Sequence, residues 1–196
     1  QSTASYTTLG VVDAMESERI FSGEKELDRV TGGFVRGQTI LLGGEPGVGK
    51  STLLLHLANL LSEKLRVCYL HGEESASQIK LRARRLGITQ DFRLLAETRV
   101  ESVLVLLEKE KVDVLLVDSI QMMELSRYAS APGSVLQVRE CTQELVQFCK
   151  HQGIILFLVG HITKSGQIAG PKVIEHLVDT VLFFEQDKKG IYRIVR

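Results

Sequence analysis

The sequence has 196 residues, 44% of them hydrophobic and 24% charged, with 24 Lys+Arg balanced by 24 Asp+Glu. This excludes wholesale disorder, which needs few apolar residues and a high net charge, and suits one domain with a real core. The longest strongly apolar stretch, Ile154 to Val159, falls far short of the ~20 residues of a membrane helix; no membrane partner is expected, and any nucleic-acid contact must be a local patch.

Residues 1–26 read as a lead-in segment and 27–196 as the folded domain. After a turn at Thr31-Gly32-Gly33, a strand is predicted from Thr39 to Leu42. A glycine-rich loop and a helix from Lys50 follow, the helix carrying Leu53, Leu54, Leu57, Leu60 and Leu61 on its apolar face. Val67 to Leu70 reads as a strand, and Ser75 to Leu86 as a helix stopped by Gly87. Glu101 to Lys109 reads as a helix and Val114 to Val117 as a buried strand. Ser126 to Gly133 is irregular. A helix over Ser134 to His151 and a buried strand over Ile154 to Val159 come next. Val181 to Phe184 and Ile191 to Val195 suggest a closing antiparallel hairpin around Lys189-Gly190. Alternating strands and helices rich in Val, Ile and Leu predict an α/β fold, its mainly parallel central sheet covered by helices on both faces. The chain opens on Gln and stops inside a strand-like pattern at Arg196, so it is expected to be a piece of a longer protein. Cys68, Cys141 and Cys149 show no paired ligand spacing, which disfavours zinc and suits buried thiols in a reducing compartment.

The sharpest motif is Gly44-Glu45-Pro46-Gly47-Val48-Gly49-Lys50-Ser51, a complete G-x-x-x-x-G-K-[ST] phosphate loop between a predicted strand and a predicted helix. Its glycines let successive N–H groups turn inward as an anion cradle, and the helix adds its positive dipole end. Lys50 is placed to reach the β- and γ-phosphates of ATP, Ser51 to hold Mg²⁺, and Thr52 to lie nearer the α-phosphate. Asp118 ends an apolar strand, where a carboxylate suits a metal-orienting role through water. Glu73 and Glu74 follow another strand. Glu73 is favoured to activate the attacking water and Glu74 is the second candidate; the plain alternative is a solvated pair at a helix start. His161, beyond the strand Ile154 to Val159, is either a γ-phosphate sensor or an ordinary hydrogen-bonding residue. It leads into the polar segment 162–172, whose Lys164 and Lys172 are candidates for a DNA-facing loop. Lys80 to Arg85 is a basic helix face, which solvation explains more often than nucleic-acid binding does.

These residues carry a family likeness. Leu27 to Gly33, the phosphate loop, His71-Gly-Glu-Glu-Ser75, Leu116 to Gln121, Pro132 to Val135, Gln137 to Glu140, Leu158 to Lys164 and Ile168 to Val173 together resemble the ATPase domain of bacterial RadA, also called Sms. The first two blocks are shared across RecA-like ATPases; His161-Ile-Thr-Lys164 and Ile168-Ala-Gly-Pro-Lys172 are more particular to RadA. The resemblance implies a RecA-like P-loop ATPase core and a cytoplasmic, DNA-dependent ATP hydrolase. It further implies a hexameric ring on single-stranded or branched DNA, with the RecA recombinase as a further partner and branch migration in recombinational repair as the role. RadA proteins also carry an N-terminal zinc finger, a Lys-Asn-Arg-Phe-Gly motif and a Lon-protease-like domain, none of which occurs in these 196 residues. Weak hydrolysis is therefore expected of this chain alone. Thr31-Gly32-Gly33 also departs from the family's more usual run of three glycines. A replicative-helicase-like or circadian-clock-like RecA-fold ATPase, and a nucleotide-gated oligomerisation module with incidental hydrolysis, are the alternative readings. A small-molecule kinase would show the same loop, but no acceptor pocket is visible.

Overall fold

Residue 8 and residues 18–161, 171–186 and 193–195 are described by the computed structural model. The chain runs α1 (Lys25–Thr31), β1 (Thr39–Gly44), α2 (Lys50–Leu61), β2 (Val67–His71), α3 (Ala76–Arg85), β3 (Arg93–Ala96), α4 (Val100–Lys109), β4 (Val114–Asp118), α5 (Val135–Gln152), β5 (Ile155–His161), β6 (Thr180–Gln186) and β7 (Arg193–Val195). Sequence and local structure agree at the helix ends. Ser75 and Gln78 form a reciprocal capping box on α3, and Ser134 caps α5, which ends at left-handed Gly153. The expected hairpin is present as an antiparallel β6–β7 pair, while its Lys189-Gly190 turn lies outside the described residues.

The seven strands form one sheet in the order β3-β2-β4-β5-β1-β6-β7, parallel except for the last pair. Successive strand residues point to opposite faces, and the sheet uses both. Along β5, Ile155, Phe157 and Val159 join a core with α2, Leu27 of α1 and Ile79 of α3. Leu156 and Leu158 join a second core with α4 and α5. This explains why β4 and β5 read as continuous apolar runs. Cys68, Cys141 and Cys149 are free and buried, and burial pushes all three thiols upward, to about 11, 12 and 12.

Two elements are additions to the sequence reading. Residues 25–31, expected to lie in the lead-in and first turn, form helix α1, closed by left-handed Gly32. Its Asp28 accepts from the Ser22 and Gly23 backbone N–H groups, both at 2.9 Å. The edge strand β3 is largely exposed, so it lacks the apolar signature of its neighbours.

The amino edge of the sheet is clamped by carboxylates. Asp113, 7% exposed, accepts from Arg66 Nε at 2.7 Å, from the Arg66 backbone N–H at 3.0 Å and from Arg36 at 3.0 Å. The Arg66 guanidinium above all holds the Asp113 carboxyl far below its ordinary range, against burial. A depressed carboxyl pKa gives stability that is present above the unfolded value and lost as pH falls. We therefore expect Asp113→Asn to cost about 1–3 kcal/mol in urea unfolding at pH 7. The difference from wild type should shrink below a pH of about 4.

Candidate active site

Because β1, β2, β4 and β5 run parallel, their carboxyl ends meet on one edge. Gly44 is in register with His161 across β1–β5, and His71 with Asp118 across β2–β4. The chain leaves β1 to build β2 on one side and returns to place β6 on the other. This makes β1 the switch point at which open α/β sheets bind ligands.

The phosphate loop begins at that point. Gly47 and Gly49 hold φ of 79° and 113°, conformations that glycine adopts without strain. They turn the chain into α2, with Gly49 at the N-cap position. Glu45, Pro46 and Gly47 are exposed, and Val48 anchors the loop inward. Lys50 is 3% exposed, and its ammonium donates to the Gly44 and Glu45 carbonyls, both at 2.8 Å. Burial lowers the Lys50 pKa to about 8, while the charges of Asp118 and Glu73 push it back up. A buried ammonium is thus fixed by two loop carbonyls, with two carboxylates nearby. Ser51 and Thr52 follow in the first turn of α2.

Facing the loop, Ser51, Tyr69, His71, Glu73, Glu74 and Asp118 share a narrow cleft of about 40 Å³, completed by Ile79. Asp118 Oδ2 accepts from the Tyr69 hydroxyl at 2.6 Å. The next residue, Ser119, 1% exposed, donates to Glu73 Oε1 at 2.7 Å. His161 Nε2 lies 3.6 Å from the same oxygen. His161 first, and Ser119 after it, hold the Glu73 carboxyl down to about 2 against the opposing effect of burial. Glu74 turns away: its carboxylate pairs with Arg82 at 2.6 Å, and its carbonyl meets His71 Nδ1 at 2.8 Å. Glu73 therefore sits with Ser119 and His161, whereas Glu74 is tied to α3. Gly72 permits this approach, since a Cβ there would lie 2.8 Å from Met122 Cβ.

His161 is itself braced, its carbonyl accepting from Gln121 Nε2 at 3.3 Å. Lys172 is exposed in a short 3₁₀ turn, residues 171–173; Lys164 lies outside the described residues. Arg82, within the basic stretch Lys80 to Arg85, is paired with Glu74 rather than solvated alone. A sequence reading does not single out Tyr69, Gly72, Ser119 or Gln121. Ser119 directly follows a candidate metal-orienting acid, which is the one available signal; Tyr69 is hidden as an ordinary apolar strand residue.

Among the described residues no cluster of three or more His, Cys, Asp or Glu has metal-holding geometry. The donors here, a Ser hydroxyl and one strand-end carboxylate, fit Mg²⁺, which takes few protein oxygens and keeps several waters. A larger groove of about 530 Å³ lies between residues 18–23, Arg36 and residues 60–65. It lacks converging carboxylates beside the phosphate loop, so the smaller cleft is the candidate site.

A phosphate loop at the switch point of a parallel sheet, faced by strand-end carboxylates, defines a RecA-like P-loop ATPase core. The chain belongs to the AAA domain family (AAA_25), whose model matches residues 8–167. Three relatives carry the name DNA repair protein RadA. The one from Aquifex aeolicus is 50% identical over 183 residues, covering 92% of this chain and 41% of the relative. That from Synechocystis sp. is 50% identical over 198 residues, covering 91% and 39%, and that from Pseudomonas aeruginosa is 44% identical over 195, covering 98% and 43%. The resemblance to RadA holds across nearly the whole chain, which spans about two fifths of these relatives' length. The fold matches the crystal structure of a KaiC-like protein from Pyrococcus horikoshii with a TM-score of 0.66 at 20% identity, covering 91% of this chain and 87% of that one.

The depressed pKa of Lys50 has a measurable consequence. Only the ammonium attracts phosphate, so affinity for a fluorescent ATP analogue should fall as pH rises through about 8. Equilibrium titrations from pH 7 to 9 are expected to show this slope in wild type and to lose it in Lys50→Ala, together with at least tenfold of affinity at pH 7.

Proposed function

We propose that the chain binds ATP with Mg²⁺ and hydrolyses it, and that it is the motor core of a RadA-type protein acting on DNA in recombination and repair. The observation that carries this reading is the Glu73 carboxylate, held by Ser119 and facing His161 at the edge where Lys50 anchors the phosphate loop. Loop N–H groups from Gly44 to Thr52 cradle the phosphates, and Lys50 spans the β- and γ-phosphates. Ser51 and, through water, Asp118 hold Mg²⁺, which supplies charge neutralisation on the phosphate oxygens. Glu73 stays ionised at any physiological pH because its carboxyl titrates near 2. It therefore serves as a fixed acceptor that orients the attacking water rather than as a proton store. His161, in contact with that carboxylate and in register with Gly44, couples the γ-phosphate to residues 162–172.

Lys164 and Lys172 are assigned as candidate DNA contacts. Identical subunits form a ring, a hexamer as the RadA resemblance implies, around single-stranded or branched DNA, with the RecA recombinase as a further partner. A neighbour's cation then supplies charge to the transition state, a contribution of ~10³–10⁵ in rate where it has been removed. Turnover by this chain alone is accordingly slow.

Steady-state phosphate release with and without single-stranded DNA tests the reading. Glu73→Gln is expected to keep ATP affinity within about threefold while lowering turnover about 10²-fold or more. DNA should stimulate wild type, and Lys50→Ala should abolish the stimulation. An oligomer that forms with ATP but shows no DNA-stimulated release would instead identify an assembly module.

A further inference from the structure

The buried phenol of Tyr69 stands out among the groups at this edge, because nothing in the loop chemistry requires it. We propose that Tyr69 is a positioning residue for Asp118: its hydroxyl fixes the carboxylate so that Oδ1 is left for the water shell of the divalent cation. The inference rests on the ATP·Mg²⁺ reading above and extends it to a residue that contacts neither phosphate nor metal.

The geometry follows from strand register. Tyr69 pairs with Leu116 and His71 with Asp118 across β2–β4. Tyr69 and Asp118 are therefore diagonal neighbours on one face of the sheet, a separation of roughly 7–8 Å between backbones that only long side chains bridge. A Ser or Thr hydroxyl at position 69 would fall short. The phenol spans the gap and donates at 2.6 Å to Asp118 Oδ2, the short distance of a bond to an ionised acceptor. Its ring has no freedom to swing away, being fully buried in the core beneath α2 and α3 and tilted against Phe92 at 6.3 Å. The Tyr69 hydroxyl meets the Asp118 carboxylate, while the Gly72 backbone N–H donates to the Asp118 carbonyl at 3.3 Å. Partners of this kind, which touch only the group beside the metal, typically change metal affinity by about 10–100-fold when removed.

Phenylalanine fills the same core volume without the hydroxyl, so Tyr69→Phe isolates the bond. Binding of a fluorescent ATP analogue is measured in EDTA and across a Mg²⁺ titration, with thermal melting in parallel. The expected result is unchanged affinity in EDTA and a Mg²⁺ midpoint raised about tenfold. In an Asp118→Asn background the Tyr69→Phe change should shift the midpoint no further. A midpoint within twofold of wild type, with only the melting temperature lowered, overturns the proposal and leaves Tyr69 as a core residue. Should Tyr69→Phe fail to fold, 3-fluorotyrosine at position 69 gives an independent readout. Its ¹⁹F resonance is expected to move with Mg²⁺ and ATP but not with ATP in EDTA, and an unmoved resonance overturns the proposal. Wild-type binding that Mg²⁺ does not strengthen would remove the ATP·Mg²⁺ reading itself, and this inference with it.

Discussion

The parallel ladder joining β2, β4, β5 and β1 is the constraint on which the rest of this structure depends. Its hydrogen bonds fix Gly44 opposite His161 and His71 opposite Asp118. A slip of one residue in either pairing would turn every side chain to the other face. The Asp118 carboxylate would then face the α4–α5 core, where Leu115 and Val117 pack. The two apolar layers hold this register: each strand is buried on both sides, so any slip exchanges one packed set for another. The sheet is closely packed here because both of its faces are buried.

The end of β4 divides its labour between two adjacent residues. Asp118 reaches Tyr69 on the α2–α3 side, while Ser119 reaches Glu73 after a cis peptide bond. One carboxylate thereby meets Tyr69 and the other lies beside His161, and each has its own hydroxyl partner. Lys50 lies close enough to both for their charges to counter the effect of its burial. The site groups one ammonium with two carboxylates, a net charge of −1 set in place before any nucleotide binds. Preorganisation of this kind removes the need to rearrange charges during the reaction.

Much of this was legible in the residues themselves. β4 and β5 announced themselves because burial on both faces leaves only Val, Leu, Ile and Phe. The capped helices α3 and α5 carried Ser at one end and Gly just past the other. The phosphate loop needed no structure, because its spacing encodes a backbone shape. Three things were hidden. Helix α1 buries only Leu27 and so has no apolar stripe. β3 is an exposed edge strand opening on Arg93, which breaks the expected pattern. The bonds made by Tyr69 and Ser119 cross between strands and loops far apart in sequence, and no local spacing reports such partners. The choice between Glu73 and Glu74 is of the same kind: identical, adjacent residues are told apart by Ser119, His161 and Arg82.

The central claim is that nucleotide binds at the carboxyl edge of β1, between the phosphate loop and the cleft of Glu73 and Asp118, and not in the larger groove beside residues 18–23. Amide hydrogen exchange with and without ATP and Mg²⁺ tests this most directly. Protection is expected to rise together in residues 44–52, 71–74 and 118–119, while residues 18–23 and 60–65 exchange as before. Protection confined to residues 18–23 and 60–65 would contradict the account.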